Sequence, residues 1–177
     1  MMWSAEMDAV PEGDDGLATL VVCHSSAEEA RRLADILRDA HFCVAESSDA
    51  ARLEAQCRQE NADLVLLDIR PGEESDFQIC DRLKKQAAGR GVSAILMISA
   101  GRSGDLEKAY AAGAAEVLLK PVHPLELVRR VSSVTRLVKL RGELHALEAK
   151  LARNRTTTEE LRNRDSDKQG GSETISG

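Results

Sequence analysis

The stretch from Ala62 to Asp76 constrains this chain more than any other. Leu64, Val65, Leu66 and Leu67, flanked by Ala62, make a short apolar run that stops abruptly at Asp68, and Pro71-Gly72 follow. A run that is apolar on both faces and bounded by turn residues reads as a parallel strand buried under helices on either side. Asp68 then stands at the strand's C-terminal end, the edge where open α/β sheets place ligands and chemistry. A lone aspartate there is equally an ordinary loop cap, so its meaning depends on what the rest of the chain brings beside it.

The same grammar repeats along the sequence. Leu17 to Cys23 reads as a first strand. Ser25 and Ser26 precede Glu28 and Glu29 with capping-box spacing. The helix they open turns Ala30, Leu33, Ala34, Leu37 and Ala40 to one face. Phe42 to Ala45 reads as a strand, and Asp49 as the cap of a second helix with Ala50, Leu53 and Cys57 inward. After the Asp68 strand, a helix from about Asp76 to Ala88 carries Phe77, Ile79, Cys80 and Leu83. Val92 to Ile98, Ser103 to Ala112 and Val117 to Leu119 read as strand, helix and strand. Pro124, suited to a helix's first turn, opens the last helix.

Apolar strands alternating with amphipathic helices imply a doubly wound, five-stranded parallel sheet with helices on both faces. Right-handed crossovers align the strands' C-terminal ends along one edge. His24, Asp68, Ser99 and Lys120 fall at those ends. Taken singly, Ser99 is a turn hydroxyl and Lys120 a surface ammonium. Together with Asp68 they place an acid, a hydroxyl and an amine at one edge, a specific arrangement.

Composition narrows the partners. A net charge of −6 lacks the basic face that general nucleic-acid binding needs, so no direct nucleic-acid contact is expected. No run is long and apolar enough for a membrane span. Met1 to Gly16 carries five acids and no base, the reverse of a signal peptide's start. It reads as a disordered acidic leader (1–16) on a cytoplasmic protein. Aromatics make up 2% of residues, so the core must be aliphatic. Cys23, Cys43, Cys57 and Cys80 form no Cys-x-x-Cys pair and read as reduced, buried thiols.

With these residues in place, the chain from about Leu17 to Thr135 resembles the receiver domains of two-component response regulators. The matching pieces are Leu64-Val65-Leu66-Leu67-Asp68 with Pro71-Gly72, Ile98-Ser99-Ala100, Ala112-Gly113-Ala114 and Leu119-Lys120-Pro121. The resemblance implies a flavodoxin-like, receiver-type fold. It makes Asp68 the acceptor of a phosphoryl group from a histidine kinase, Ser99 the hydroxyl that bonds the phosphoryl oxygen, and Lys120 the partner of aspartate or phosphate. It also implies a cis bond before Pro121, a minority state elsewhere. The chemistry is coherent by itself, because phosphoryl transfer is largely positioning plus neutralisation of charge on the moving oxygens.

The departures matter as much. Receivers of this family end strand 1 in two acids that hold Mg²⁺ with the strand-3 aspartate; here the positions read Cys23-His24. Mg²⁺ wants oxygen ligands in octahedral geometry, and neither a thiol nor an imidazole is reliably negative at neutral pH. Asp68 and the carbonyl of Arg70 are the remaining metal ligands of the motif, and the Arg70 side chain adds positive charge nearby. The expectation is no resident cofactor, weak Mg²⁺ binding and slow or absent phosphorylation. Val117 stands where the family places a switching aromatic coupled to Ser99. Valine has no polar tip and a stiff χ1, so that switch is missing.

The last helix does not stop where the domain should. Leu137, Leu140, Leu144, Leu147 and Leu151 recur at alternating spacings of three and four and continue through Asn154 and Thr158 to Leu161, an a/d seam. A helix from Pro124 to about Arg164 spans roughly 60 Å and must project beyond the domain. Pairing with a second copy hides its leucine stripe; a folded-back amphipathic helix is the alternative. Residues 136–164 are thus expected to form a coiled-coil extension and 165–177 a disordered tail.

The expected function is a non-enzymatic, dimeric interaction module in two-component signalling that meets a histidine kinase or a downstream signalling protein. A working phosphoacceptor at Asp68 is the first alternative. A zinc-binding or redox sensor through Cys23 and His24 is the second, since thiol and imidazole suit zinc.

Overall fold

The computed structural model describes residues 18–85 and 92–169. The acidic leader, Leu17, Ala88 and residues 170–177 lie outside the described residues. Five strands and five helices alternate: β1 Thr19–Cys23, α1 Ala27–Asp39, β2 Cys43–Ser47, α2 Leu53–Gln59, β3 Leu64–Asp68, α3 Glu74–Lys85, β4 Ser93–Ser99, α4 Ser103–Ala111, β5 Glu116–Lys120 and α5 Pro124–Gln169. All strand pairs are parallel, in the order β2-β1-β3-β4-β5.

Side chains alternate across a strand, and the core divides accordingly. Leu20, Val22, Leu64, Leu66, Ile95, Met97 and Leu118 face α1 and α5, where they meet Leu33, Leu37, Leu127 and Val131. Val21, Val65, Leu67, Leu96, Ile98 and Val117 face the opposite layer and meet Leu53, Phe77, Leu83 and Ala109. All five residues of β3 are buried, as a central strand covered on both sides requires.

Local chemistry accounts for the boundaries. Ser26 caps α1, its side chain accepting from the Glu29 N–H. Asp49 does not cap α2: its Oδ1 accepts from the Ala51 N–H and its carbonyl from the Arg52 N–H, closing a turn. The helix starts later, at Leu53, with no side-chain cap. After α4, Gly113 adopts φ +81°, and the N–H groups of Gly113 and Ala114 return to the carbonyls of Tyr110 and Ala109. A Cβ there would meet Lys84 Nζ at 2.7 Å, the end of a flexible side chain that can swing aside, so it is the left-handed backbone that calls for glycine. Cys43 corrects an expectation: on edge strand β2 it is exposed, while Cys23, Cys57 and Cys80 are buried.

Helix α5 packs on the domain through Leu127, Val131 and Val134, with Val138 against the same cluster. It then runs on as one helix to Gln169, past Arg164, so residues 165–169 are helical and not the disordered tail expected there. At 1.5 Å per residue its length is roughly 69 Å. Leu137, Leu140, Leu144, Leu147 and Leu151 are exposed along the projecting part; the side chains of Thr158 and Leu161 lie outside the described residues. No described helix is long and apolar enough to cross a membrane.

Candidate functional site

The parallel register assembles the site. Asp68 ends β3 in line with Met97, and Ser99 ends β4 in line with Lys120 at the end of β5. The chain leaves β5 through a cis bond between Lys120 and Pro121, as the resemblance implied. Asp68 is 5% exposed, and a carboxylate that deep in a protein needs partners for both oxygens. Lys120 Nζ donates to Oδ1 at 2.5 Å. The Ser25 hydroxyl donates to Oδ2 at 3.0 Å. His24 Nε2 lies 3.7 Å from the same Oδ2.

His24 is held by its own loop. Its Nδ1 accepts from the Ser26 N–H at 3.0 Å, which leaves Nε2 as the nitrogen carrying the ring proton and turns that N–H toward Asp68. Two residues at the start of the β1–α1 loop thus address one oxygen of Asp68 and a lysine from β5 addresses the other. Ser25 is the residue sequence reasoning missed here. Its sequence context is that of a capping serine, yet it lies two residues beyond the end of β1, at the same sheet edge as Asp68.

Cys23 takes no part in this ring of polar contacts. It is 3% exposed within the α2/α3-facing core. Burial, offset only partly by a hydrogen bond with Ser47, pushes its thiol up to about 11. At neutral pH it is a protonated thiol, the form that does not attack disulfides.

The Arg70 side chain is engaged by Asp76. Its Nε and Nη2 donate to Asp76 Oδ2 and Oδ1 at 3.1 and 2.7 Å, and its backbone N–H donates to Oδ2 at 3.0 Å. Asp76 is fully buried, so this bidentate pair clamps the β3–α3 loop onto the first turn of α3. The positive charge expected near the metal's carbonyl position is largely answered by Asp76. In the sequence Asp76 marks only a helix start; an arginine six residues before an acid at a helix's first turn is the signal that points to such a clamp.

Ser99 is half-buried at the end of β4, and among the described residues its hydroxyl makes no hydrogen bond to Asp68. Val117 is 9% exposed, packed in the core as an aliphatic side chain. The donor set beside Asp68 does not fit Mg²⁺. Asp68 is the one carboxylate of the ring and is already bonded to an ammonium; the other groups are an imidazole N–H and a hydroxyl, and Asp76 is committed to Arg70.

A buried aspartate paired with a lysine across the mouth of an open parallel sheet marks a class of signalling domain, the receivers of two-component pathways. A family profile described as the response regulator receiver domain matches residues 21–132. The chain belongs to that family. It is 26% identical over 132 residues to the response regulator PleD of Caulobacter vibrioides, covering 75% of this chain and 29% of that protein. To the alginate biosynthesis transcriptional regulatory protein AlgB of Pseudomonas putida it is 30% identical over 115 residues, 65% of this chain and 25% of AlgB. The chain thus spans less than a third of either relative. A crystal structure of a putative response regulator from Chloroflexus aurantiacus shares the fold with a TM-score of 0.62 at 23% identity, over 68% of this chain and 99% of that one.

Proposed function

We propose that this chain is an atypical receiver, a non-enzymatic and dimeric interaction module of two-component signalling with weak or no Mg²⁺-dependent phosphorylation. The observation that carries the reading is the occupancy of Asp68 by its own chain: Lys120 on one oxygen, Ser25 and His24 at the other. A divalent ion at this site would have to displace an imidazole and a hydroxyl and would gain a single carboxylate in return. The groups already there supply part of the neutralisation that a metal supplies to a moving phosphoryl group, but they do so in the resting state. The surface offered to a histidine kinase or downstream protein then depends little on phosphate. The missing aromatic at Val117 supports the same reading, because the usual link between site and surface is absent.

One observation favours a second reading, a working acceptor: the Asp68–Lys120 contact is intact at 2.5 Å. The two readings separate on incubation with Mg²⁺ and acetyl phosphate followed by intact-mass measurement. The first expects little or no added phosphoryl mass. A stoichiometric adduct that is absent from Asp68→Asn would overturn it and establish the second.

A further inference from the structure

The projecting half of α5 carries charges whose pattern bears on how two copies would pair, and the inference rests on the dimeric reading above. Leu137, Leu140, Leu144, Leu147 and Leu151 are 52–64% exposed and occupy alternating a and d positions, Leu137 being a. The residues that flank such a seam are then Arg136, Glu143 and Lys150 at g and Arg141, Glu148 and Arg155 at e. All six are exposed. Glu148 also lies 3.5 Å from His145 of its own helix, a contact that leaves it at the surface.

In a parallel, in-register pair each g residue meets the e residue five positions later on the other chain. The meetings would be Arg136 with Arg141, Glu143 with Glu148 and Lys150 with Arg155. Every one is like-charged, and symmetry doubles each. In an antiparallel pair g meets g and e meets e. The register that sets Leu144 against Leu147 of the second copy, and Leu140 against its Leu151, keeps four all-leucine layers. That same register brings Glu143 against Lys150 and Arg141 against Glu148, each twice and each of opposite sign. The parallel form retains one more leucine layer, at Leu137, but it carries six repulsive contacts in place of four attractive ones. Flanking charges set partner orientation in coiled coils for this reason.

We propose that two copies of this chain associate through α5 as an antiparallel pair centred between His145 and Ala146. The receiver domains then sit at opposite ends of the paired segment. Residue 136 of one copy lies beside residue 155 of the other, which separates the two copies of residue 136 by roughly 28 Å along the axis. A parallel pair would hold the two domains side by side.

Sedimentation equilibrium of the full chain at low salt tests this, with Glu143→Lys and the double variant Glu143→Lys/Lys150→Glu beside the wild type. Both positions are exposed, so the domain's folding is spared. In the antiparallel pair Glu143→Lys puts lysine against lysine and weakens association by about tenfold; the double variant restores it, and added salt shrinks the difference. In a parallel pair the same single change puts lysine against Glu148 and tightens association. A dimer that Glu143→Lys tightens or leaves unchanged overturns the antiparallel arrangement while the dimer stands. A wild type that is monomeric at every concentration removes the dimer and this inference together.

Discussion

At the scale of the residue, one position carries the electrostatic argument. His24 stands where a second carboxylate would complete a divalent site, so His24→Asp places two acids beside each other at the sheet edge. Calorimetric titration of that variant with Mg²⁺ is expected to show binding at least tenfold tighter than wild type, since each added carboxylate is a hard oxygen ligand. Unchanged binding would mean that the imidazole is not the obstacle. The Arg70–Asp76 clamp makes a separate prediction. Arg70→Ala strands a fully buried carboxylate. Removal of one partner of a buried pair costs several kcal/mol; Arg70 is 43% exposed, and water entering at that side reduces the loss to about 2 kcal/mol in urea unfolding. Arg70→Lys recovers only part of it, because an ammonium cannot match the bidentate fork.

Among the elements, α5 has two jobs along one helix. Its first turns bury Leu127, Val131 and Val134 in the core, and its middle turns expose five leucines. Leu144→Asp lies in the exposed part, so it is expected to leave the thermal midpoint within about 2 °C of wild type while shifting sedimentation toward monomer. A domain that melts earlier with no change in association would place Leu144 in intramolecular packing instead. The elements are also where the sequence was most legible. Strand β3 and the residues Asp68, Ser99 and Lys120 were readable because apolar runs with abrupt polar ends fix where a parallel strand stops. Ser25 and Asp76 were not, since their roles depend on how two loops turn, and no periodicity reports that. Asp49 misled for a related reason: an aspartate caps a turn as readily as a helix, and only the backbone distinguishes them. A cysteine in an apolar context does not say whether its strand lies at the sheet's edge, so the exposure of Cys43 has no sign in the sequence.

For the whole molecule, three buried thiols link stability to pH. Burial holds Cys23 and Cys80 up to about 11 and Cys57 up to about 12, against an ordinary value of 9.0. Their folded values are raised, so their contribution is fully present below the unfolded value and is lost as pH climbs through the folded ones. Between about pH 9 and 11 the unfolded chain releases protons that the folded chain retains. Stability should therefore fall with rising pH, by up to about 1.4 kcal/mol per pH unit for each thiol. Urea midpoints across that window check this, and Cys80→Ala should flatten the slope by about a third. A flat profile in the wild type would mean that the thiols ionise freely within the fold.

Charge at one sheet edge decides between the two readings: a carboxylate there is met by groups of its own chain and lacks the acids that would seat a divalent ion. Titration of the wild-type protein with Mg²⁺ followed by calorimetry, with Asp68→Asn in parallel, addresses that most directly. The predicted result is no saturable binding at millimolar Mg²⁺ and indistinguishable traces for the two proteins. Saturable binding that disappears in Asp68→Asn would contradict it and return the chain to the phosphate-driven receivers.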